Sequence, residues 1–183
     1  MELSRKKSTA SEYFSLPQGA PYQLIGGELT PSPAPSWKHQ RISRKIGTRL
    51  SEHVENNGLG EVFFAPVDVY LSDENVFQPD LIFIAKGRED LLSDKGYIEG
   101  APDLVAEILS PSTLTLDAIE KKEAYEKYGV KEYWIMDGES QTIYVYAMKK
   151  TGFELVQRVL KGENLSSEVV EGFALDTKHV WGE

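Results

Sequence analysis

The sequence predicts an α/β fold in which helices pack on a mixed β-sheet. Two long amphipathic segments, 37–56 and about 115–128, have the apolar periodicity of helices. Three apolar or alternating runs lie between them, at 61–71, 79–85 and 103–109, and turn residues bound each run as they bound strands. The order helix, three strands, helix and strand favours a sheet covered by helices.

The N-terminal region predicts a short helix and a hairpin. We expect residues 1–8 to form a disordered tail and residues 9–183 to form one domain. Thr9 and Glu12 have the spacing of a capping box, which opens a short helix. Gly26-Gly27 is a two-residue hairpin signal. The hairpin strands that it predicts are Tyr22–Ile25 and Glu28–Thr30.

Each long helix carries its own end signals. Ser36 is placed to cap the first helix, and Asn57-Gly58 ends it. The second helix ends at Gly129, with Val130 placed for the apolar contact of a Schellman motif. The residues that share the apolar face of the first helix are Ile42, Ile46, Leu50 and Val54.

The rest of the chain predicts more strands. They are Tyr133–Met136, Thr142–Ala147 and Phe153–Leu160. Asp137-Gly138 lies in the turn between the first two strands, and residues 168–180 are expected to form a short cap.

Composition limits the chemistry. The chain has 183 residues and no cysteine, which excludes disulfides, thiol nucleophiles and cysteine-bound metals. The net charge of −9 weakens the case for a nucleic-acid partner, although a local basic stripe still allows one. No apolar run approaches membrane-spanning length, so we expect a cytoplasmic protein without a membrane partner.

Two carboxylates fall inside apolar strands. Asp80 lies in the run Phe77–Ile84, and Glu107 lies in the run Ala101–Ser110. A carboxylate buried in a strand costs several kcal/mol unless it is paired or binds a metal ion. These two positions therefore predict a site that uses the charge.

Lys121 is a third charged residue whose burial would cost free energy. At about 100° per residue, Lys121 lies about 40° from Asp117 on the second helix. Ala124, Tyr125 and Tyr128 share that side of the helix, so the lysine occupies an apolar face. A solvated lysine does not normally occupy the centre of such a face.

Each charge also has a structural interpretation. Lys121 would be an ion-pair partner for Asp117 or Glu107, and such buried pairs are common. Asp80 and Asp103 each follow a proline and would end loops through side-chain hydrogen bonds. The structural interpretation is favoured for any one residue alone, whereas the three gathered charges favour a functional site.

At these residues the chain resembles a known protein family. The chain resembles the PD-(D/E)XK nuclease superfamily and, more narrowly, its bacterial restriction-endonuclease-like branch of unknown biological role, the Uma-two family. The resemblance spans about residues 9 to 176. The matching segments are Gln78-Pro79-Asp80-Leu81, Pro102 to Thr113, Asp117, Lys121, Tyr125, Gly129-Val130 and Glu132 to Asp137, together with Tyr22 to Glu28 and His39.

The resemblance implies a restriction-endonuclease-like fold and metal-assisted hydrolysis of DNA phosphodiester bonds. Asp80, Glu107 and Lys121 would be catalytic. Asp80, Glu107 and the backbone carbonyl of Ile108 would bind Mg²⁺ or Mn²⁺. The usual lysine lies two residues after the acidic residue, where this chain has Leu109, and this branch is thought to take its lysine from the next helix. Related folds often work as dimers, so a homodimer is one assembly that the resemblance implies.

Other residues are weaker candidates. Glu28 would add a ligand or hold a second metal, although an exposed hairpin carboxylate more often has no special role. Asp103 is a further accessory candidate, and Tyr125 would either pack in the core or hydrogen-bond in the site. His39 faces the apolar side of its helix, where packing is favoured over a site contact. One face of the first long helix carries a stripe that could track phosphates, formed by Arg41, Lys45 and Arg49. Glu52 and Glu55 dilute that stripe, so a solvated face is favoured at least equally.

Two alternatives stay open. The first is an inactive nuclease-like scaffold that binds nucleic acid or a protein partner, which the acidic charge and Leu109 favour. The second treats Asp80 and Glu107 as a glycosidase-like acid/base pair. The buried lysine and the lack of an aromatic-rich sugar cleft argue against the second alternative.

Overall fold

A computed structural model describes residues 7–110 and 116–181. The helices are α1 (Ala10–Phe14), α2 (Trp37–Asn57) and α3 (Lys122–Tyr128), with a π-helical turn, Leu116–Lys121, directly before α3. The strands are β1 (Tyr22–Ile25), β2 (Glu28–Pro31), β3 (Gly60–Phe64), β4 (Val69–Ser72), β5 (Asn75–Phe77), β6 (Leu81–Ala85), β7 (Ile98–Glu99), β8 (Leu104–Ile108), β9 (Glu132–Asp137), β10 (Thr142–Lys149), β11 (Gly152–Leu160), β12 (Asn164–Ser166) and β13 (Ala174–Asp176). None of these helices is both long and apolar enough to cross a membrane.

A six-stranded mixed sheet forms the centre of the fold. Its strand order is β11-β10-β9-β8-β6-β3. β8 and β9 run parallel, and every other neighbouring pair in this sheet is antiparallel. The predicted mixed sheet with flanking helices is confirmed. The crossover between the two parallel strands carries α3, as such connections require.

The central sheet is buried on both faces. On one face, Ile46 and Leu50 of α2 pack in one apolar cluster with strand residues such as Trp134. On the other face, Tyr125 of α3 packs with residues such as Tyr133. Because strand side chains alternate between faces, each buried strand contributes to both clusters. This explains why the strands read as continuous apolar runs.

A second sheet was not expected from the sequence. The single predicted strand 61–71 is wrong, because the chain leaves β3 after Phe64 and re-enters a different sheet at Val69. Pro66 lies in that break and has no N–H to donate to a strand ladder. The second sheet has the order β2-β1-β5-β4-β7 and packs on the α3 side through residues such as Phe77.

The ends of the helices follow the predicted signals. Ser36 caps α2 by accepting a hydrogen bond from the His39 N–H, and Gly58 ends α2 in the left-handed conformation. Gly129 ends α3 in the same conformation. The Val130 N–H donates to the Tyr125 carbonyl, which matches the predicted Schellman arrangement.

Both chain ends differ from simple expectation. The first six residues of the predicted tail lie outside the described residues, while Lys7 pairs with Glu74 at 3.0 Å. Near the C-terminus, β12 and β13 pair with each other, and a buried segment follows. Phe173 and Trp181 pack in the cluster under α2, so this region completes the main core.

Substitutions at two nearby glycines distinguish the cost of backbone strain from the cost of a steric clash. A side chain at Gly60 would bring its Cβ within 2.0 Å of the Ile84 carbonyl oxygen, whereas Gly58 has open space. Both glycines have positive φ. We expect Gly60→Ala to lower the free energy of unfolding by more than about 3 kcal/mol and Gly58→Ala to lower it by about 1 kcal/mol. Chemical denaturation measures both, and equal losses would contradict the close approach of β3 to β6.

Candidate active site

Glu107 is a carboxylate in the middle of the buried strand β8. It is only 3% exposed, and its neighbours Ala106 and Ile108 are apolar core residues. Its Oε1 atom accepts hydrogen bonds from Lys121 Nζ at 3.0 Å and from the Tyr125 hydroxyl at 2.8 Å. The charge is therefore stabilised by donors from the helical segment that follows β8.

Asp80 lies beside Glu107 at the start of the neighbouring strand. Leu81 pairs with Ala106 in the antiparallel ladder, so one step further Asp80 stands opposite Glu107. Directly opposed residues have Cβ atoms about 5 Å apart. The Ile108 N–H donates to Asp80 Oδ2 at 2.7 Å, which ties this carboxylate to β8.

Lys121 reaches Glu107 from the last position of the π-helical turn. It is 2% exposed, and the ion pair with Glu107 is almost completely shielded from water. π-Helical turns are rare and often occur at functional sites. The prediction that this lysine lies on the buried side of the helix is confirmed.

His39 contacts the site, although packing alone was favoured from the sequence. Its Nε2 lies 3.1 Å from Asp80 Oδ2, and its side chain is 12% exposed. The Nδ1 atom is buried without a hydrogen-bond partner among the described residues. The cap at Ser36 begins α2 three residues earlier, so the helix start fixes where this imidazole meets the carboxylate.

Tyr125 both packs and donates a hydrogen bond. Its ring meets Phe77 edge to face, with ring centroids 5.3 Å apart, and it also contacts Tyr133. Its hydroxyl donates to Glu107, as described above. The two interpretations offered for this residue from the sequence are therefore both correct, because one ring carries both contacts.

Gln78 anchors the segment that carries Asp80. Its backbone N–H donates to Gln23 Oε1 at 2.9 Å, and its side-chain amide donates to Asp68 Oδ1 at 2.9 Å. The Tyr13 hydroxyl also donates to Asp68. The sequence placed Gln78 in a motif but gave no sign of this positioning role.

Asp103 is not part of this cluster. It lies four residues before Glu107, at the other end of β8, where Arg88 approaches at 2.9 Å and Lys131 at 2.7 Å. Burial acts to raise the pKa of Asp103, but the Ala85 N–H and the two cations outweigh it and hold the pKa below its usual value. The residue ties two strand ends together, which is the structural interpretation offered from its sequence.

The remaining candidate residues also lie apart from the cluster of Asp80, Glu107 and Lys121 or have other partners. Glu28 is exposed on β2, and its carboxylate makes no hydrogen bond or ion pair within the described residues. Lys45 donates to the His179 carbonyl, and Arg49 pairs with Glu52 at 3.1 Å. Of the predicted phosphate stripe, only Arg41 keeps a guanidinium without a carboxylate partner in the described part of the chain.

The oxygen atoms of Asp80, Glu107 and the neighbouring backbone are suitable ligands for a hard divalent cation. Carboxylate and carbonyl oxygens are the ligands that Mg²⁺ prefers, and Mg²⁺ keeps several waters when it binds. Asp80 Oδ1 accepts no hydrogen bond from the described residues, so this oxygen is not committed to the protein. No group of three acidic or histidine side chains with metal-binding geometry occurs in residues 7–110 and 116–181. A cation here would therefore rely on two carboxylates, a carbonyl and water.

A family comparison identifies the chain. The model of the Uma2 family, described as "Putative restriction endonuclease", matches residues 10–178. The chain belongs to the Uma2 family. This match confirms the resemblance drawn from the motifs around Asp80, Glu107 and Lys121.

A solved structure shows the same fold. It is described as a "putative nuclease belonging to DUF820" from Anabaena variabilis ATCC 29413. The TM-score is 0.78 at 20% sequence identity, and the alignment covers 94% of this chain and 97% of the other. At this identity the likeness concerns the fold. No match is found among curated proteins.

The Tyr125 hydroxyl is expected to stabilise the buried Glu107 charge. Tyr125→Phe removes a hydrogen bond to a charged acceptor while keeping the ring in place, so we expect a loss of about 1–3 kcal/mol in the free energy of unfolding. Tyr144→Phe is the control, because the Tyr144 hydroxyl makes no hydrogen bond within the described residues, and it should change stability by less than about 0.5 kcal/mol. Similar losses for the two variants in urea denaturation would contradict the role of the hydroxyl.

The ion pairs of Asp103 predict a pH-dependent stability. Its folded-state pKa lies below the unfolded value, so its contribution is present above the unfolded pKa and is lost as the pH falls through the folded pKa. We expect Asp103→Asn to cost about 1–3 kcal/mol at pH 7 and progressively less below about pH 4. The exposed Asp94→Asn control should be nearly neutral throughout. A cost for Asp103→Asn that does not change with pH would contradict this assignment.

Proposed function

We propose that this Uma2 protein is an endonuclease that hydrolyses DNA phosphodiester bonds with a divalent metal ion, Mg²⁺ or Mn²⁺. The family description supports a nuclease. The observation that carries the proposal is the buried Lys121–Glu107 ion pair beside Asp80. Two acids on neighbouring strands and an ammonium from the next helix are the residue types that metal-assisted phosphodiester hydrolysis needs.

The metal ligands in this proposal come from two adjoining strands. Asp80, Glu107 and the Ile108 carbonyl would hold the ion, with water completing its shell. When bound, the ion would supply Lewis acidity that lowers the pKa of a water molecule and offsets negative charge on the scissile phosphate. The Ile108 N–H and His39 hold the Asp80 carboxylate in a fixed orientation.

Lys121 and Tyr125 act on the Glu107 carboxylate and the substrate side of the site. Both donate to the same oxygen of Glu107, which fixes the rotamer of that side chain. In this proposal the Lys121 ammonium would also orient the attacking water or stabilise the charge on the phosphate in the transition state. This role matches that of the lysine in related nucleases, although the lysine comes from a helix here.

Energetics favour use of the charges over a purely structural pair. A buried ion pair is often no more stabilising than well-packed apolar residues of similar volume. The surrounding positions of β6 and β8 are apolar and fully buried. The presence of Asp80, Glu107 and Lys121 together at this point supports a chemical role.

The central test combines cleavage and metal binding. Purified protein with Mn²⁺ or Mg²⁺ is assayed on supercoiled, linear duplex, single-stranded and branched DNA. We expect cleavage of at least one substrate and a loss of about 100-fold or more in rate for Lys121→Met. We also expect Mn²⁺ to raise the melting temperature of the wild type but not that of Asp80→Asn.

Lys122→Met is the matched control, since Lys122 is the next residue and lies over the Tyr146 ring, 4.5 Å from its centroid. It should retain wild-type cleavage. Equal cleavage by Lys121→Met and wild type would contradict the catalytic role of Lys121. Intact DNA on every substrate together with no Mn²⁺ shift in melting temperature would instead support an inactive scaffold.

A homodimer stays a prediction that light scattering can test.

A further inference from the structure

An open groove runs along one flank of α2 next to the end of β3. Its floor and walls include Trp37, Gln40, Arg41, Arg44, Thr48 and Phe64. Four of the helical members are spaced by four, three and four residues, which keeps them on one side of the helix: Trp37, Arg41, Arg44 and Thr48. Phe64 closes the other wall from β3, where its ring lies against the backbone of Gly47.

The groove presents aromatic faces to solvent. Trp37 is 64% exposed and Phe64 is 39% exposed, whereas the other two tryptophans, Trp134 and Trp181, are buried. Arg41 lies over the Trp37 ring, with its guanidinium carbon 4.7 Å from the ring centroid. This cation–π contact holds the indole against the helix and leaves much of its surface accessible.

The groove is positively charged on an acidic protein. Arg41 and Arg44 line it, Lys38 lies at its edge over Trp37, and the lining contains no acidic residue. Neither arginine has a carboxylate partner in the described ranges 7–110 and 116–181. The chain as a whole carries a net charge of −9, so this patch departs sharply from the average surface.

The groove adjoins the candidate active site. Trp37 lies two residues before His39, which contacts Asp80. Phe64 pairs with Leu81 in the ladder, and the Ala65 N–H donates to the Asp80 carbonyl at 3.2 Å. Most lining residues of α2 lie on the side of the helix away from His39, because residues two apart do not share a helix face. A polymer lying in the groove would therefore reach Asp80 by passing around the start of α2 and the end of β3.

We infer that this groove binds an unpaired strand of DNA and leads it to the site, a step that rests on the proposed nuclease function. Arg41 and Arg44 match a phosphodiester backbone in charge and geometry. Trp37 and Phe64 supply stacking surfaces for bases, which is how single-stranded nucleic acid is bound without sequence preference. Bases in a duplex are already stacked on each other and offer no free face to such side chains. The groove therefore favours single-stranded segments or single-stranded ends over intact duplex.

Binding can be measured without catalysis. With EDTA present, fluorescence anisotropy compares a labelled mixed-sequence single strand with a hairpin duplex of equal nucleotide number at low salt. We expect the wild type to bind the single strand more tightly. Trp37→Ala should weaken binding by about tenfold or more, and Trp37→Phe should restore most of it. Trp37 is the exposed indole, so single-stranded DNA should also quench the wild-type tryptophan emission.

The arginines have a separate signature. The double variant Arg41→Ala, Arg44→Ala should reduce the slope of log affinity against log salt by about 1.4, since each single-strand phosphate contact contributes about 0.7. Arg49→Ala, on the same helix but paired with Glu52, is the control and should bind like the wild type. Unchanged binding in all groove variants, tighter binding of the hairpin, or no binding of the single strand would each overturn the inference.

The two proposals fail in different ways. If single-stranded DNA binds through Trp37 but no divalent ion produces cleavage, the groove stands and the nuclease proposal fails. If Trp37→Ala and the double arginine variant cleave and bind like the wild type, the nuclease proposal stands and the groove fails.

Discussion

The rest of the site depends on an ion pair that has been removed from water. Glu107 lies where the sheet would otherwise hold an apolar residue, and Lys121 is the charge that makes this position tolerable. Removing one partner from a buried pair leaves an uncompensated charge, which costs about 3–5 kcal/mol. The sheet, the crossover and the helix that follows must therefore form together for either charge to be accommodated.

Three parts of the fold position side chains at this site. The antiparallel ladder brings Asp80 opposite Glu107, and the parallel pairing of β8 with β9 forces a crossover whose helix delivers Lys121. The start of α2 delivers His39 from the opposite side of the sheet. Because these are regular elements rather than long loops, the positions of the side chains are set by backbone hydrogen bonds. The same helix carries the aromatic and basic groove, so the proposed binding surface and the proposed active site share one regular element.

Periodicity and turn chemistry were enough to predict the helices, the central strands and the buried side of Lys121. They could not predict the second sheet, because β4, β5 and β7 are two to four residues long and carry almost no pattern. Asp103 was an accessory candidate for the site, yet its partners Arg88 and Lys131 come from other segments that no local pattern reveals. His39 was undervalued for the same reason, since its contact with Asp80 depends on the tertiary fold, and so does the exposure of Trp37.

The π-helical turn before α3 has a consequence for variation in this family. Lys121 is the last residue of the turn Leu116–Lys121, so the number of residues between Lys121 and the rest of α3 sets its angle around the helix axis. Insertion or deletion of one residue in this turn would rotate the ammonium by about 100° and move it out of the interior. Substitutions in this segment should consequently be tolerated far better than changes in its length, and natural relatives that keep the chemistry should keep the residue count.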